Sequence, residues 1–135
     1  MNWKLIFALS LFGLAMGFAT VFVIGADAEP WAWLGILVVS GIVIAKRAPG
    51  KYVLHGLCVG LLNCVWITAA HFALYDAYAA GHAREIGMLA QLGSPRTMMI
   101  AVAPAFGIVS GLVLGVASWV LSKFLVSSHS DFAGW

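Results

Sequence analysis

The side chains that could carry chemistry in this sequence lie in one row between residues 64 and 85. They follow one another at steps of four and three residues, a spacing that places side chains on one face of an α-helix. Each of them can donate or accept a hydrogen bond. We call this set the polar row: Cys64, Thr68, His71, Tyr75, Tyr78, His82 and Glu85. The earlier positions on the same face, Leu54, Leu57 and Leu61, are apolar. A continuous helix would therefore place a polar-lined cavity above an apolar floor.

Two interpretations of the polar row involve hydrogen bonding alone. The row could join neighbouring helices near the lipid headgroups, where tyrosine also anchors helices. It could instead line a binding cavity for a small molecule, an ion or a lipid headgroup. A polar group at mid-membrane is a functional candidate by default, which adds Asn63. The candidate ligand-binding residues are His71, Tyr75, Tyr78, His82, Thr68 and Asn63.

A metal site is a third interpretation, and His82 and Glu85 are its weak candidates because they lie three residues apart on one face. On a straight helix His71 would lie about 16 Å from His82, at 1.5 Å of rise per residue, so the two could not share an ion. We therefore predict no metal site.

No cofactor is strongly implied, and no catalytic residue is identified. Haem held by two histidines would need a second copy of the chain, because the histidines of the predicted spans all lie on one helix. Cys58 and Cys64 are separated by about 9 Å of helical rise, beyond the ~7 Å limit for a disulfide. Hydrolase and metalloprotease motifs are absent, and no carboxylate lies within a charge-free span. The sequence therefore favours a protein that is not an enzyme.

The composition determines the class of protein. Hydrophobic residues make up 63% of the chain and charged residues 9%, whereas a soluble domain has about 45–50% apolar and 25% charged residues. A water-soluble enzyme and a disordered protein are excluded. The net charge of +2, without a run of basic residues, also excludes a nucleic-acid partner. The lipid bilayer is the predicted environment.

Four stretches contain no charged residue: 5–24, 31–45, 52–75 and 97–122. A helix needs about 20 apolar residues to cross the bilayer, and Pro30, Lys46 and Arg47 can extend the short second stretch. The first stretch is longer than the apolar region of a secretory signal, which has about 7–15 residues. We therefore expect this segment to be retained as the first transmembrane helix and not cleaved off. We predict an all-α, polytopic membrane domain over residues 1–126. Its four transmembrane helices are expected at about 4–25, 30–47, 52–80 and 95–124, followed by a flexible polar tail at 127–135.

The charges of the loops predict the orientation. The loop that contains Lys46, Arg47 and Lys51 is basic, whereas Asp27 and Glu29 follow the first helix. Basic loops stay in the cytoplasm, which predicts a multi-pass protein of the plasma (inner) membrane with both termini inside.

The longest connection, residues 76–96, has helix signals of its own. Good helix formers run from residue 82 to 92, Gly93 suits a helix C-terminus, and Ser94-Pro95 suits the start of the next helix. We expect the third helix either to continue past the membrane or to break near Gly81 into a short interfacial helix.

Small residues four positions apart predict close helix packing in lipid. They occur on three of the predicted helices: Gly13 and Gly17; Gly56 and Gly60; Gly107, Gly111 and Gly115. The partner helix could lie in the same chain or in a second copy. Pro104 should bend the fourth helix.

These observations predict a small integral membrane binding or transport protein with an outward-facing polar row, acting as a homo-oligomer. An alternative is an accessory or assembly subunit whose glycine faces hold a larger membrane complex. A membrane-embedded enzyme is the third possibility.

Overall fold

The computed structural model describes residues 1–130, with side chains through residue 125, and this part of the chain is all α-helical. Four of its helices are long and apolar enough to cross a membrane, as predicted from the charge-free stretches. Two short helices connect the third long helix to the last. The elements are α1 (Trp3–Phe22), α2 (Glu29–Arg47), α3 (Tyr52–Ala73), α4 (Tyr75–Gly81), α5 (Ala83–Ala90) and α6 (Pro95–Ser130).

Local sequence signals account for most helix boundaries. Pro30 lies in the first turn of α2, where its missing N–H costs nothing, and Lys46 and Arg47 lie in the last turn, where they complement the helix dipole. Gly93 has a positive φ of 152°, and α6 begins two residues later at Pro95, as the sequence predicts.

The segment after α3 differs from the prediction of one helix over residues 52–80. Leu74 leaves the helical conformation, at φ −109° and ψ 33°, and a second interruption of the helix occurs at His82. The helix expected at residues 82–92 is α5. At the other end of the chain α6 continues to Ser130, into the predicted polar tail, and residues 131–135 lie outside the described part of the chain.

The glycines bring α3 close to both α1 and α6. A Cβ at Gly13 would lie less than 3.0 Å from the backbone of Asn63, and one at Gly111 would lie equally close to the backbone of Leu57. The same proximity is found wherever the two glycine rows of α3 and α6 meet. The glycines involved there are Gly56, Gly60, Gly111 and Gly115, while Gly17 contacts Ala70 and Gly107 contacts Cys64. The predicted close packing therefore occurs within one chain.

An apolar core closes the end of the bundle where the chain begins. It contains Leu5, Ile6, Leu9, Ile44, Ala48, Val59 and Leu114. The fully buried His55 holds the N-terminus there, because its Nε2 accepts a hydrogen bond from the Asn2 amide at 3.0 Å while its Nδ1 donates to the Lys51 carbonyl. Beyond this core α2 packs chiefly on α6 and contacts α3 little. The two helices are therefore separated at the opposite end.

Charge divides between the two ends. The end with the closed core, which we call the basic end, carries Lys4, Lys46, Arg47, Lys51 and Lys123. The opposite end, which we call the acidic end, carries Asp27, Glu29, Asp76 and Glu85 together with Arg84 and Arg96. Among the described residues, all the acidic side chains lie at the acidic end.

Candidate functional site

A cavity of about 550 Å³ occupies the space that α2, α3 and α6 leave between them, and α5 lies at its acidic end. Its walls are mostly apolar and include Ile36, Leu37, Ile67, Val102 and Phe106. The cavity runs from Glu29 to Ser40, which corresponds to about 16 Å along α2. Both carboxylates of the lining, with its imidazole and its phenol, lie at the acidic end (Glu29, Glu85, His71 and Tyr78), while Ser40, Asn63, Thr68 and Ser110 are polar residues of the remaining wall.

Three aromatic rings of the polar row form a stack at that end. The ring of Tyr78 lies 3.8 Å from the His71 ring and 4.3 Å from the His82 ring, with interplanar angles of 19° and 16°. The expectation that His71 and His82 lie far apart is wrong, because it assumed a straight helix. The break at Leu74 changes the direction of the chain, and the two imidazoles are separated by one phenol ring.

Thr20 fixes the first ring of the stack to α1. Its hydroxyl lies 2.6 Å from His71 Nε2 and donates to the Met16 carbonyl at 2.8 Å. A hydroxyl has one proton, so once that proton is given to Met16 the oxygen accepts from His71 Nε2–H. The imidazole is thereby held in one orientation against the cavity.

Glu29 of α2 lies beside the last ring of the stack. One carboxylate oxygen accepts from the Trp33 indole at 3.2 Å, and the other lies 3.4 Å from His82 Nε2. His82 Nδ1 donates to the Tyr78 carbonyl at 3.2 Å, so in a neutral ring Nε2 would present a lone pair to the carboxylate. The two groups form no hydrogen bond, and His82 Nε2 is a buried atom without a hydrogen-bond partner among the described residues.

Two buried polar atoms of the cavity wall have no hydrogen-bond partner. They are Glu85 Oε2 near the acidic end and Ser40 Oγ deeper in the cavity, where Ser40 is only 1% exposed. Leaving such an atom unpaired costs about 1–3 kcal/mol, and more when it is charged. Unpaired groups of this kind call for a missing partner.

The phenol of Tyr78 is held in its neutral form. Burial raises its pKa, and the nearby carboxylates of Glu29 and Glu85 raise it further because they disfavour a phenolate. No lysine or arginine lines the cavity among the described residues. The polar end therefore combines a phenol that can donate a hydrogen bond with two carboxylates that can accept one.

The structure brings most of the predicted binding residues to this cavity. Asn63, Thr68, His71 and Tyr78 line it. Asn63 is already engaged, because its Oδ1 accepts from the Gly13 amide at 2.9 Å and so also joins α3 to α1. His82 lies behind Tyr78, outside the lining.

Tyr75 lies elsewhere. Its ring packs under the Arg96 guanidinium, 4.5 Å from the ring centroid, and Arg96 also lies 3.5 Å from Asp76. A straight helix would have kept Tyr75 beside Tyr78 on one face. The interruption at Leu74 separates the two.

The sequence did not predict that α2 supplies side chains to the cavity wall. Glu29, Trp33 and Ser40 belong to a different helix from the polar row, so only the tertiary structure brings them together. One signal was available: Glu29 and Trp33 lie four residues apart at the start of a span, where a carboxylate and an indole can meet.

The described residues contain no group of three histidine, cysteine, aspartate or glutamate side chains that could hold a metal ion. No protein-family model, curated protein or solved structure matches the chain.

Proposed function

We propose that the protein is a small integral membrane protein that binds, and in that way can transport, an amphipathic small molecule. The observation that carries this proposal is the cavity between α2, α3 and α6, which is apolar along most of its length and polar at one end. Its volume of about 550 Å³ falls within the roughly 300–1,000 Å³ of ligand sites.

The fit to an amphipathic molecule follows from the mostly apolar wall and from the unpaired carboxylate oxygen at its acidic end. An apolar chain can replace the missing packing between α2 and α3, while its polar head can satisfy Glu85 Oε2. A molecule that was polar throughout would leave its own groups unpaired against Ile67 and Val102. The distribution of wall chemistry therefore favours a ligand with one polar end.

A homo-oligomer or a larger complex stays a proposal, as does the accessory-subunit alternative. The glycine faces that suggested such an assembly contact one another within the chain. A partner would have to use a different surface, and no contact of the described residues favours one. For this reason binding within the cavity is the function we advance.

We also propose that the basic end faces the cytoplasm of the plasma (inner) membrane. Five basic residues and no acidic residue lie at that end among the described residues, and basic segments stay inside. A membrane-impermeant maleimide should then label Ala28→Cys in right-side-out vesicles, and Pro49→Cys only after the vesicles are opened. The opposite pattern would reverse the orientation.

Photolabelling tests the binding function. A dodecanol that carries a diazirine on its chain is added to the protein in liposomes, irradiated, and located by peptide mass spectrometry. We expect saturable labelling of cavity residues such as Leu37 and Ile67, which unlabelled dodecanol prevents. Labelling confined to lipid-facing residues such as Val109 and Val113, and proportional to probe concentration, would contradict the proposal.

A further inference from the structure

The two carboxylates at the acidic end of the cavity differ in what surrounds them. One oxygen of Glu29 accepts a hydrogen bond from the Trp33 indole at 3.2 Å, and the other lies 3.4 Å from His82 Nε2. Glu85 also lines the cavity, but its Oε2 is buried and has no partner. Of the two, Glu85 is the one left to meet a ligand.

Charge counting leads to the same residue. Arg96 lies outside the cavity lining, where it contacts the Asp76 carboxylate and the face of the Tyr75 ring. Lysine and arginine are absent from the lining formed by the described residues, so the Glu85 carboxylate has no counter-ion within the cavity. Burying such a charge unpaired is costly, and a cation that enters the cavity would remove that cost.

Beyond its acidic end the wall of the cavity is mostly apolar and contains one unpartnered hydroxyl among the described residues. Ser40, which is 1% exposed, directs no hydrogen bond to any described residue, although its hydroxyl is buried and it lines the deep part of the cavity. Unpartnered atoms therefore occur both at the acidic end and along the wall. The space between them is lined by aliphatic side chains such as Ile36 and Val102.

We propose, building on the binding function above, that the ligand is a single-chain amphiphilic amine whose ammonium group pairs with Glu85. The ammonium donates to Glu85 Oε2, which lies in the same lining as the Tyr78 phenol. The chain extends among the aliphatic side chains of the wall, such as Leu37, Ile67 and Val102. Phosphatidylethanolamine also carries an ammonium, but its phosphate would lie near two carboxylates with no basic side chain to balance it.

Native mass spectrometry in a non-ionic detergent at pH 7 tests the charge of the headgroup. Dodecylamine, 1-dodecanol, dodecanoic acid and phosphatidylethanolamine are titrated separately into the wild type and the Glu85→Gln variant. We expect dodecylamine to bind most tightly to the wild type. Glu85→Gln should weaken its binding by about tenfold or more, because a charge-assisted hydrogen bond is lost. Binding of dodecanol should change by less than about threefold, which also shows that the variant is folded.

Two further variants make the result specific. Asp27→Asn removes an exposed carboxylate from the same end outside the cavity, and should leave dodecylamine binding unchanged. Val102→Phe fills the cavity and should reduce the binding of both dodecylamine and dodecanol.

The remaining outcomes separate this inference from the function on which it rests. The ammonium assignment would be overturned if dodecylamine and dodecanol bound the wild type equally well. It would also be overturned if Glu85→Gln left the binding of dodecylamine unchanged. In both cases the cavity would still bind an alkyl chain. Preference for phosphatidylethanolamine would overturn the single-chain assignment. If Val102→Phe changes the binding of none of the four compounds, the proposed binding function fails as well.

Discussion

Tyr78 connects the packing of the polar end to its electrostatics. Its ring lies between the rings of His71 and His82, which Thr20 of α1 and Glu29 of α2 approach in turn, Thr20 through a hydrogen bond and Glu29 at 3.4 Å. The phenol therefore lies in a rigid setting, among groups held by three different elements. Its neighbours favour the neutral, hydrogen-bond-donating form.

The raised pKa of Tyr78 gives a testable pH dependence. A phenol whose pKa is higher in the folded protein contributes stability that is fully present below its unfolded value of about 10 and is lost as pH rises above it. We expect the difference in absorbance near 295 nm between wild type and Tyr78→Phe to show no tyrosinate at about pH 10.5. A tyrosinate signal there, lost in the variant, would mean that Tyr78 is not shielded from water and charge as described.

At the scale of elements, α3 organises the bundle through its contacts with α1 and α6. Glycines let the backbones of α3 and α6 approach closely, and Asn63 adds a hydrogen bond to α1. These contacts leave α2 displaced toward α6, and the cavity is the consequence.

A methyl group at the α3–α6 contact should therefore be poorly tolerated. Gly111→Ala places a Cβ against the backbone of Leu57, and we expect it to lower the free energy of unfolding by about 1–3 kcal/mol through overpacking. Gly35→Ala is the matched control, because a Cβ at that helical position meets nothing within 4 Å. Thermal unfolding in detergent measures both. Equal stability of the two variants would contradict the close packing of α3 on α6.

The elements were more predictable than their arrangement. Length and the absence of charge sufficed to predict the four long helices, and Gly93 and Pro95 marked the start of α6. The interruption at Leu74 carries no such mark, because neither glycine nor proline occurs at that position. The stack of His71, Tyr78 and His82 depends on that interruption, so a straight-helix projection could not predict it.

At the scale of the whole molecule, the two ends differ in packing and in charge. The basic end is closed by a continuous apolar core, whereas the acidic end holds the cavity and its unpaired groups. The apolar core and the proposed binding cavity therefore lie in different halves of one small bundle. The half that was hardest to predict is the one where four elements, α2, α3, α4 and α5, contribute polar groups to one space.

The central claim is that the cavity holds an amphipathic molecule. Native mass spectrometry of protein extracted gently from its membrane tests it most directly, on the wild type, on Val102→Phe in the cavity wall and on Val109→Phe on the lipid-facing side of the same helix. If the cavity holds such a molecule, we expect a discrete bound mass that is present in the wild type and in Val109→Phe and lost in Val102→Phe. A wild type that carries no bound mass, or a mass that Val102→Phe retains in full, would contradict it.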